Sequence, residues 1–200
     1  MSDLFHCATY CVIVRDMKPE CVLIGLGNHG SQYSETRHNL GWIAIDYLAK
    51  KYEASAFSDV PKFVSETAEA IIQGKSCLLV KPHTYMNGSG EAVRKIKDFY
   101  KLDSNQFLIL CDDIDIELGS YRLRMSGGAG THNGLKSIVE AIGESFPRLR
   151  LGIGTQKEGV DLAAWVLSKI TPEESARLSG IMAELPSIVA TAIAEMQSQN

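Results

Sequence analysis

Short apolar runs alternate along the chain with stretches in which apolar residues recur every three or four positions. The runs at 22–25, 77–80, 107–111 and 149–153 are continuous, as expected of strands buried on both faces, while 63–72 and 121–125 alternate and are expected nearer a sheet edge. Six strands follow from this count. Between them, Leu40, Ile43, Ala44, Tyr47 and Leu48 fall at helical spacing, as do Val93, Ile96 and Tyr100, and then Leu135, Ile138, Val139 and Ile142. Each such helix has one face to lay on a sheet. From 172 onward the periodicity is strongest, with Leu178, Ile181, Met182, Leu185, Ile188, Val189, Ala192, Ile193 and Met196 on one stripe. Pro186 interrupts it and predicts a kink or two helices near 184–186, because proline removes a backbone donor and clashes with the preceding turn. The alternation as a whole predicts an α/β protein: a single-domain, three-layer fold with a twisted, mostly parallel mixed sheet and helices on both faces. Residues 1–19 show no strong periodicity and read as an N-terminal extension to a domain spanning 20–200.

Composition agrees with one domain and a sizeable core: 200 residues, 45% hydrophobic and 22% charged. No apolar run approaches the roughly 20 residues of a membrane-spanning helix, and the start lacks a basic segment followed by a long apolar stretch. A soluble, cytoplasmic protein is expected, with no membrane partner. The cysteines, Cys7, Cys11, Cys21, Cys77 and Cys111, form no C-x-x-C pair and are odd in number, which suggests reduced thiols rather than a zinc site or a disulfide framework. The formal charge of -4 argues against a polyanionic partner until it is divided along the chain. Residues 121–150 carry Arg122, Arg124, Lys136, Arg148 and Arg150 against only Glu140 and Glu144, and both flanking stretches are net acidic.

The first strand is followed by G-L-G-N-H-G (25–30), which matches the G-x-G-x-x-G of dinucleotide sites. In such sites the helix begins inside the glycine motif, whereas here eight polar or small residues (31–38) precede the periodicity that starts at Leu40, and no acidic residue ends a second strand at the right distance. Nucleotide binding is therefore kept only as a minor alternative. Four polar clusters stand at or just past strand ends, where open α/β sheets place their sites: 28–39, P-H-T-Y-M-N (82–87), C-D-D-I-D (111–115) and S-G-G-A-G-T-H-N-G (126–134). These residue types suit hydrolysis by activated water. A neutral imidazole takes a proton near pH 7 and a carboxylate on its other nitrogen fixes the tautomer; His38 and Asp112 are the chosen pair. Asn28, Asn87 and Asn133 offer uncharged donors and acceptors for a peptide backbone or an oxyanion. No serine or cysteine sits in a nucleophile elbow, and no two histidines have metal spacing.

Plainer readings stand beside these. His38 and Asn39 suit capping of the helix that follows, Asn87 suits the N-cap of a helix over 89–100, and Asn133 that of 135–142. Asp112, Asp113 and Asp115 suit an ordinary turn, and His132 taken alone a structural or surface role. Cys111 reads as a core residue at a strand end.

Taken together, the motifs L-I-G-L-G-N-H-G (23–30) with Y-x-x-T-R-H-N (33–39), P-H-T-Y-M-N-G-S-G (82–90), D-D-I-D (112–115) and G-A-G-T-H-N-G-L-K-S-I (128–138) resemble the bacterial-type peptidyl-tRNA hydrolase family, with R-L-R-L-G-I-G (148–154) following in the family's order. The resemblance implies an enzyme that cleaves the ester between a peptide and the terminal ribose of tRNA, freeing tRNA from stalled or aborted translation. It implies that His38 is the general base and Asp112 its orienting partner. It further implies that Asn28, Asn87 and Asn133 hold peptide and ester, and that Tyr33, Tyr85, Met86 and His132 line the same cleft. Contacts to the 5' phosphate and acceptor stem fall on Arg122 and Arg150, with Arg124 and Lys136 nearby. It implies no metal or organic cofactor and a monomer. A non-catalytic RNA-binding relative of the same fold is the alternative. The chain departs from the family at His29, where proline is usual, at Thr131, where glycine is commoner, and at Cys111, where histidine is frequent.

Overall fold

The four continuous apolar runs lie side by side in the middle of a seven-stranded sheet. The computed structural model describes residues 18–156 and 158–198; most of the predicted 1–19 extension lies outside them. Strands β1 (Cys21–Gly25), β2 (Ser58–Val60), β3 (Ser65–Ile72), β4 (Lys75–Pro82), β5 (Phe107–Asp113), β6 (Tyr121–Arg124) and β7 (Arg148–Gly152) are arranged in the order β2-β3-β4-β1-β5-β7-β6. The central four pair in parallel, and β2, β3 and β6 add antiparallel edges, so the sheet is mixed as expected. The strand missing from the sequence reading is β2. Its three residues, Ser-Asp-Val, carry no apolar pattern and lie at an exposed edge, where pairing to β3 requires no buried face.

Alternation along each strand separates two cores. Val22, Ile24, Phe107 and Ile109 face helices α2 (Ser89–Tyr100) and α3 (Asn133–Ile142), and Leu23, Leu79, Leu108 and Leu110 face α1 (Leu40–Lys51) and the long C-terminal helix α5 (Pro172–Ser198). A short helix, α4 (Leu162–Val166), precedes α5. Of the kink or two helices expected near Pro186, the two helices are not found: α5 is one helix that runs through the proline, whose carbonyl accepts a hydrogen bond from Tyr52 Oη at 3.1 Å. Proline deletes only its own donor, while Leu185, Ile188 and Val189 on either side are buried and keep both halves seated on the sheet. Helix α5 also has the length and composition to cross a bilayer, an exception to the sequence expectation; its whole apolar stripe is spent on the core.

The glycines of 25–30 have a packing role. A Cβ on Gly25 would lie 2.3 Å from the Gly41 carbonyl oxygen, and one on Gly41 would lie 2.4 Å from that of Leu110. Helix α1 therefore rests backbone to backbone on the ends of β1 and β5. That contact accounts for Gly25, the Trp42 ring 2.6 Å from a Cβ on Gly27 accounts for the second glycine and a φ of 117 for Gly30, and the close approach places the turn preceding α1 directly over the carboxyl ends of the central strands.

Candidate active site

Three loops and one helix start converge there on a cleft of about 450 Å³. Its lining includes Asn28, His38, Tyr85, Met86, Asn87, Asp112, His132, Asn133 and Arg150. Tyr33 stands outside the lining: it ends the 3-10 turn Ser31–Tyr33, half-buried, and its carbonyl accepts both the backbone N–H and the hydroxyl of Thr36, so its backbone supports the turn that follows. Arg122, Arg124 and Lys136 also lie outside the cleft, exposed.

His38 sits in the middle of a second 3-10 turn, Arg37–Asn39. Asn39 occupies the N-cap position of α1 but makes no capping bond. Its amide instead accepts from the Asn28 N–H at 2.9 Å and donates to the Asn28 carbonyl at 3.0 Å, stitching this turn to the loop after β1. Asn28 Oδ1 in turn accepts the Met86 N–H at 2.8 Å, which ties in the loop after β4 and leaves the Asn28 amide nitrogen as its donor. Tyr85, at that loop's tip, is 55% exposed and takes φ 54, ψ 167, a strained conformation that costs on the order of 1–3 kcal/mol for a residue with a Cβ. Neither Asn87 nor Asn133 caps a helix with its side chain. Gly88 occupies the N-cap position of α2 without a side-chain bond, and Asn133 is the first residue of α3, whose cap is His132.

Asp112, at the end of β5, is buried between two imidazoles. His38 Nδ1 lies 2.9 and 3.0 Å from its two oxygens, and His132 Nε2 lies 3.1 Å from Oδ1. The tautomers follow from the partners. A carboxylate only accepts, so His38 carries its proton on Nδ1, and its Nε2, which no described residue bonds, keeps a free lone pair. His132 Nδ1 accepts the Leu135 N–H at 3.2 Å, so that ring's proton sits on Nε2 and is donated to Asp112. Burial by itself would raise the Asp112 carboxyl, but the paired His132 and His38 outweigh it and hold the group ionised, well below the usual carboxylate range.

The fold thus gathers what the sequence positions of the histidines did not announce: three ligand-capable groups, His38, Asp112 and His132, with atoms within 4.8 Å of one another. They do not fit a metal. With Nδ1 of His132 accepting a backbone N–H, its Nε2 keeps the proton and has no lone pair to give, whereas a metal-bound histidine donates from its second nitrogen.

Around this centre Asp113 accepts Arg150 Nη1 at 3.0 Å and the Asp115 N–H at 2.8 Å, and Arg150 Nη2 donates to the Gly128 carbonyl at 3.0 Å. Arg150 therefore lies in the cleft wall, anchoring the glycine-rich loop. Asn133 Oδ1 accepts from Lys136 Nζ at 3.5 Å, which leaves its amide N–H groups to the cleft at the positive end of α3. Cys111 is fully buried, and burial raises its thiol well above the usual range, as suits a core residue. Two departures are placed here: Thr131 is exposed on the cleft lining, and His29 is exposed beside it, with its ring 4.5 Å from that of His83. The sequence reading named none of the four side chains of the far wall, Leu162, Ala163, Val166 and Leu167 around α4. The signal available was Asp161 before a short apolar stretch; its carboxylate accepts the Ala164 N–H at 3.2 Å and caps the helix.

A carboxylate-oriented imidazole at the mouth of an α/β sheet, with amide donors around it, is the kind of site a hydrolase carries. The chain is 46% identical over 158 residues to a peptidyl-tRNA hydrolase of Lachnospira eligens, covering 78% of this chain and 84% of that protein. It is 43% identical to that of Chloroflexus aggregans, covering 87% and 93%. The crystal structure of the Acinetobacter baumannii peptidyl-tRNA hydrolase superposes with a TM-score of 0.83 at 36% identity, covering 92% of this chain and 93% of that one. A profile of the peptidyl-tRNA hydrolase family matches residues 22–200, and the chain belongs to that family.

Proposed function

We propose that this enzyme hydrolyses the ester between peptide and tRNA with His38 as its general base. The observation that carries the reading is the Nδ1–H of His38 donated to Asp112, which leaves Nε2 as the one imidazole nitrogen with a free lone pair among the described residues that line the cleft. Nε2 takes a proton from water as the oxygen attacks the ester carbonyl; the tetrahedral oxyanion forms against an amide N–H of Asn87 or Asn133. Collapse expels the terminal ribose oxygen, which receives the proton back from the imidazolium, leaving free tRNA and a peptide carboxylic acid that loses its proton to solvent. Asn28, Tyr85 and Met86 flank the peptide, His132 holds Asp112, and Tyr33 supports the rim. No metal or organic cofactor takes part.

Binding rests on phosphates rather than base edges, which lets one enzyme accept many tRNAs. Arg122 and Arg124 on the exposed edge strand β6 and Lys136 on α3 meet the 5' phosphate and acceptor stem, and Arg150, already paired with Asp113, meets the substrate at the cleft mouth. The enzyme works as a cytoplasmic monomer in the rescue of dropped peptidyl-tRNA. The test is release of label from N-blocked and from unblocked aminoacyl-tRNA. Cleavage of the blocked ester that His38→Ala reduces by about a hundredfold or more, with tRNA affinity kept, supports the reading. Binding without cleavage would instead mark a non-catalytic RNA-binding relative, against which the intact pairing of His38, Asp112 and His132 argues.

A further inference from the structure

The turn carrying His38 is held from both sides. Asn39 grips the loop after β1, and on the other side Arg37 turns inward, only 4% exposed, with no part in the chemistry above. Its Nη2 donates to both carboxylate oxygens of Glu174 at 2.6 Å. Nη1 donates to Ser168 Oγ at 2.5 Å and to the Lys169 carbonyl at 2.8 Å. The guanidinium carbon lies 4.0 Å from the centroid of the Trp165 ring, and Trp165 Nε1 donates to the Gly154 carbonyl at 3.3 Å. The backbone repeats the connection: the Arg37 N–H donates to the Ser168 carbonyl at 3.1 Å, the Ile170 N–H to that of Glu35 at 2.9 Å, and Thr36 bridges Lys169.

Everything Arg37 grips belongs to α4, to α5 or to the turn between them, and Leu162, Ala163, Val166 and Leu167 of that same segment form the cleft wall facing the rest of the site. A planar fork that satisfies a carboxylate, a hydroxyl and a carbonyl while stacking on an indole is fixed in all directions, which a flexible ammonium cannot reproduce. We infer that Arg37 is a positioning residue for the hydrolysis: through Glu174, Ser168 and Trp165 it sets the separation between the His38 imidazole and the α4 wall of the cleft. This rests on His38 being the general base. Without the clamp, turn and wall drift apart, and a misplacement of about 1 Å costs on the order of a hundredfold in rate. Phosphate contacts at β6 are untouched.

The experiment compares Arg37→Lys, which keeps the charge but loses fork and stack, with Glu174→Gln, which keeps the side chain's shape but leaves one oxygen to accept and so loses one of the two bonds and the charge. Wild type and His38→Ala are assayed first on N-blocked aminoacyl-tRNA. A wild type without cleavage, or a His38→Ala with full rate, overturns the general-base reading and not the clamp alone. Both clamp variants are then read as kcat and KM per folded molecule, with histidine ring NMR alongside. The expected result is a kcat at least about tenfold lower in Arg37→Lys and less reduced in Glu174→Gln, KM within about twofold, and a shifted His38 Nδ1–H signal with the His132 Nε2–H signal retained. A lowered melting temperature with kcat per folded molecule and both ring signals unchanged would overturn the inference, since that is what a purely structural ion pair predicts. Should Arg37→Lys fail to fold, Glu174→Gln decides by the same criteria.

Discussion

A carboxylate buried with two imidazoles titrates unlike one in water. Burial opposes ionisation of Asp112, yet its pairing with His132 and His38 holds it well below the usual range. A folded-state pKa depressed below the unfolded value contributes stability that is complete above about pH 4 and is lost as pH falls through the folded value. Urea unfolding should therefore show stability declining below about pH 4, and Asp112→Asn should flatten that decline. His132 carries a second load as the cap of α3. His132→Ala should cost about 1 kcal/mol of stability from the lost cap, read by urea unfolding, and should lower kcat further by freeing Asp112. Asn87→Ala should lower kcat by about a hundredfold with little change in KM if its amide meets the oxyanion, read in steady-state kinetics. At this scale His38 and Asp112 were legible as polar residues just past apolar runs. The double role of His132 was not, because a lone histidine before a helix gives no sign that a strand 20 residues earlier ends beside it.

Between elements, the decisive contact is backbone on backbone. Gly25 and Gly41 let α1 settle against β1 and β5 closely enough that the preceding turn reaches Asp112. Gly41→Ala places a Cβ 2.4 Å from the Leu110 carbonyl oxygen and 2.5 Å from the Leu26 nitrogen, so it should destabilise the fold by about 1–3 kcal/mol or more in urea unfolding, and reduce activity with it. The helices were legible because each is long enough for its apolar spacing to repeat; α2 spans 89–100, with Val93, Ile96 and Tyr100 recurring within it. β2 was not, since three polar edge residues have no periodicity to show, and the continuity of α5 through Pro186 was decided by burial on both sides of it.

For the molecule as a whole, the basic stretch at 121–150 is less of a docking surface than its count suggests. Arg148 is 1% exposed and donates to the carbonyls of Gly127, Gly128, Glu144 and Phe146, and Arg150 is paired with Asp113. Arg122, Arg124 and Lys136 remain exposed on an otherwise acidic body. Arg122→Ala should weaken tRNA binding and lower the salt slope by about one counterion. Arg148→Ala should mainly destabilise the fold, because it strands buried carbonyls. Binding titrations at several salt concentrations, beside unfolding curves, check both.

Class, layer order and the identity of the chemical groups were set by the sequence itself, since periodicity and strand-end polarity are properties of neighbours within a few residues. Which of those groups meet was decided by the tertiary structure. His38 reaches Asp112 across 74 positions and Arg37 reaches Glu174 across 137. Such pairs exist only once strand order and two glycines have set how closely α1 lies on the sheet, because a hydrogen bond tolerates errors of tenths of an ångström and no local pattern fixes distance that finely.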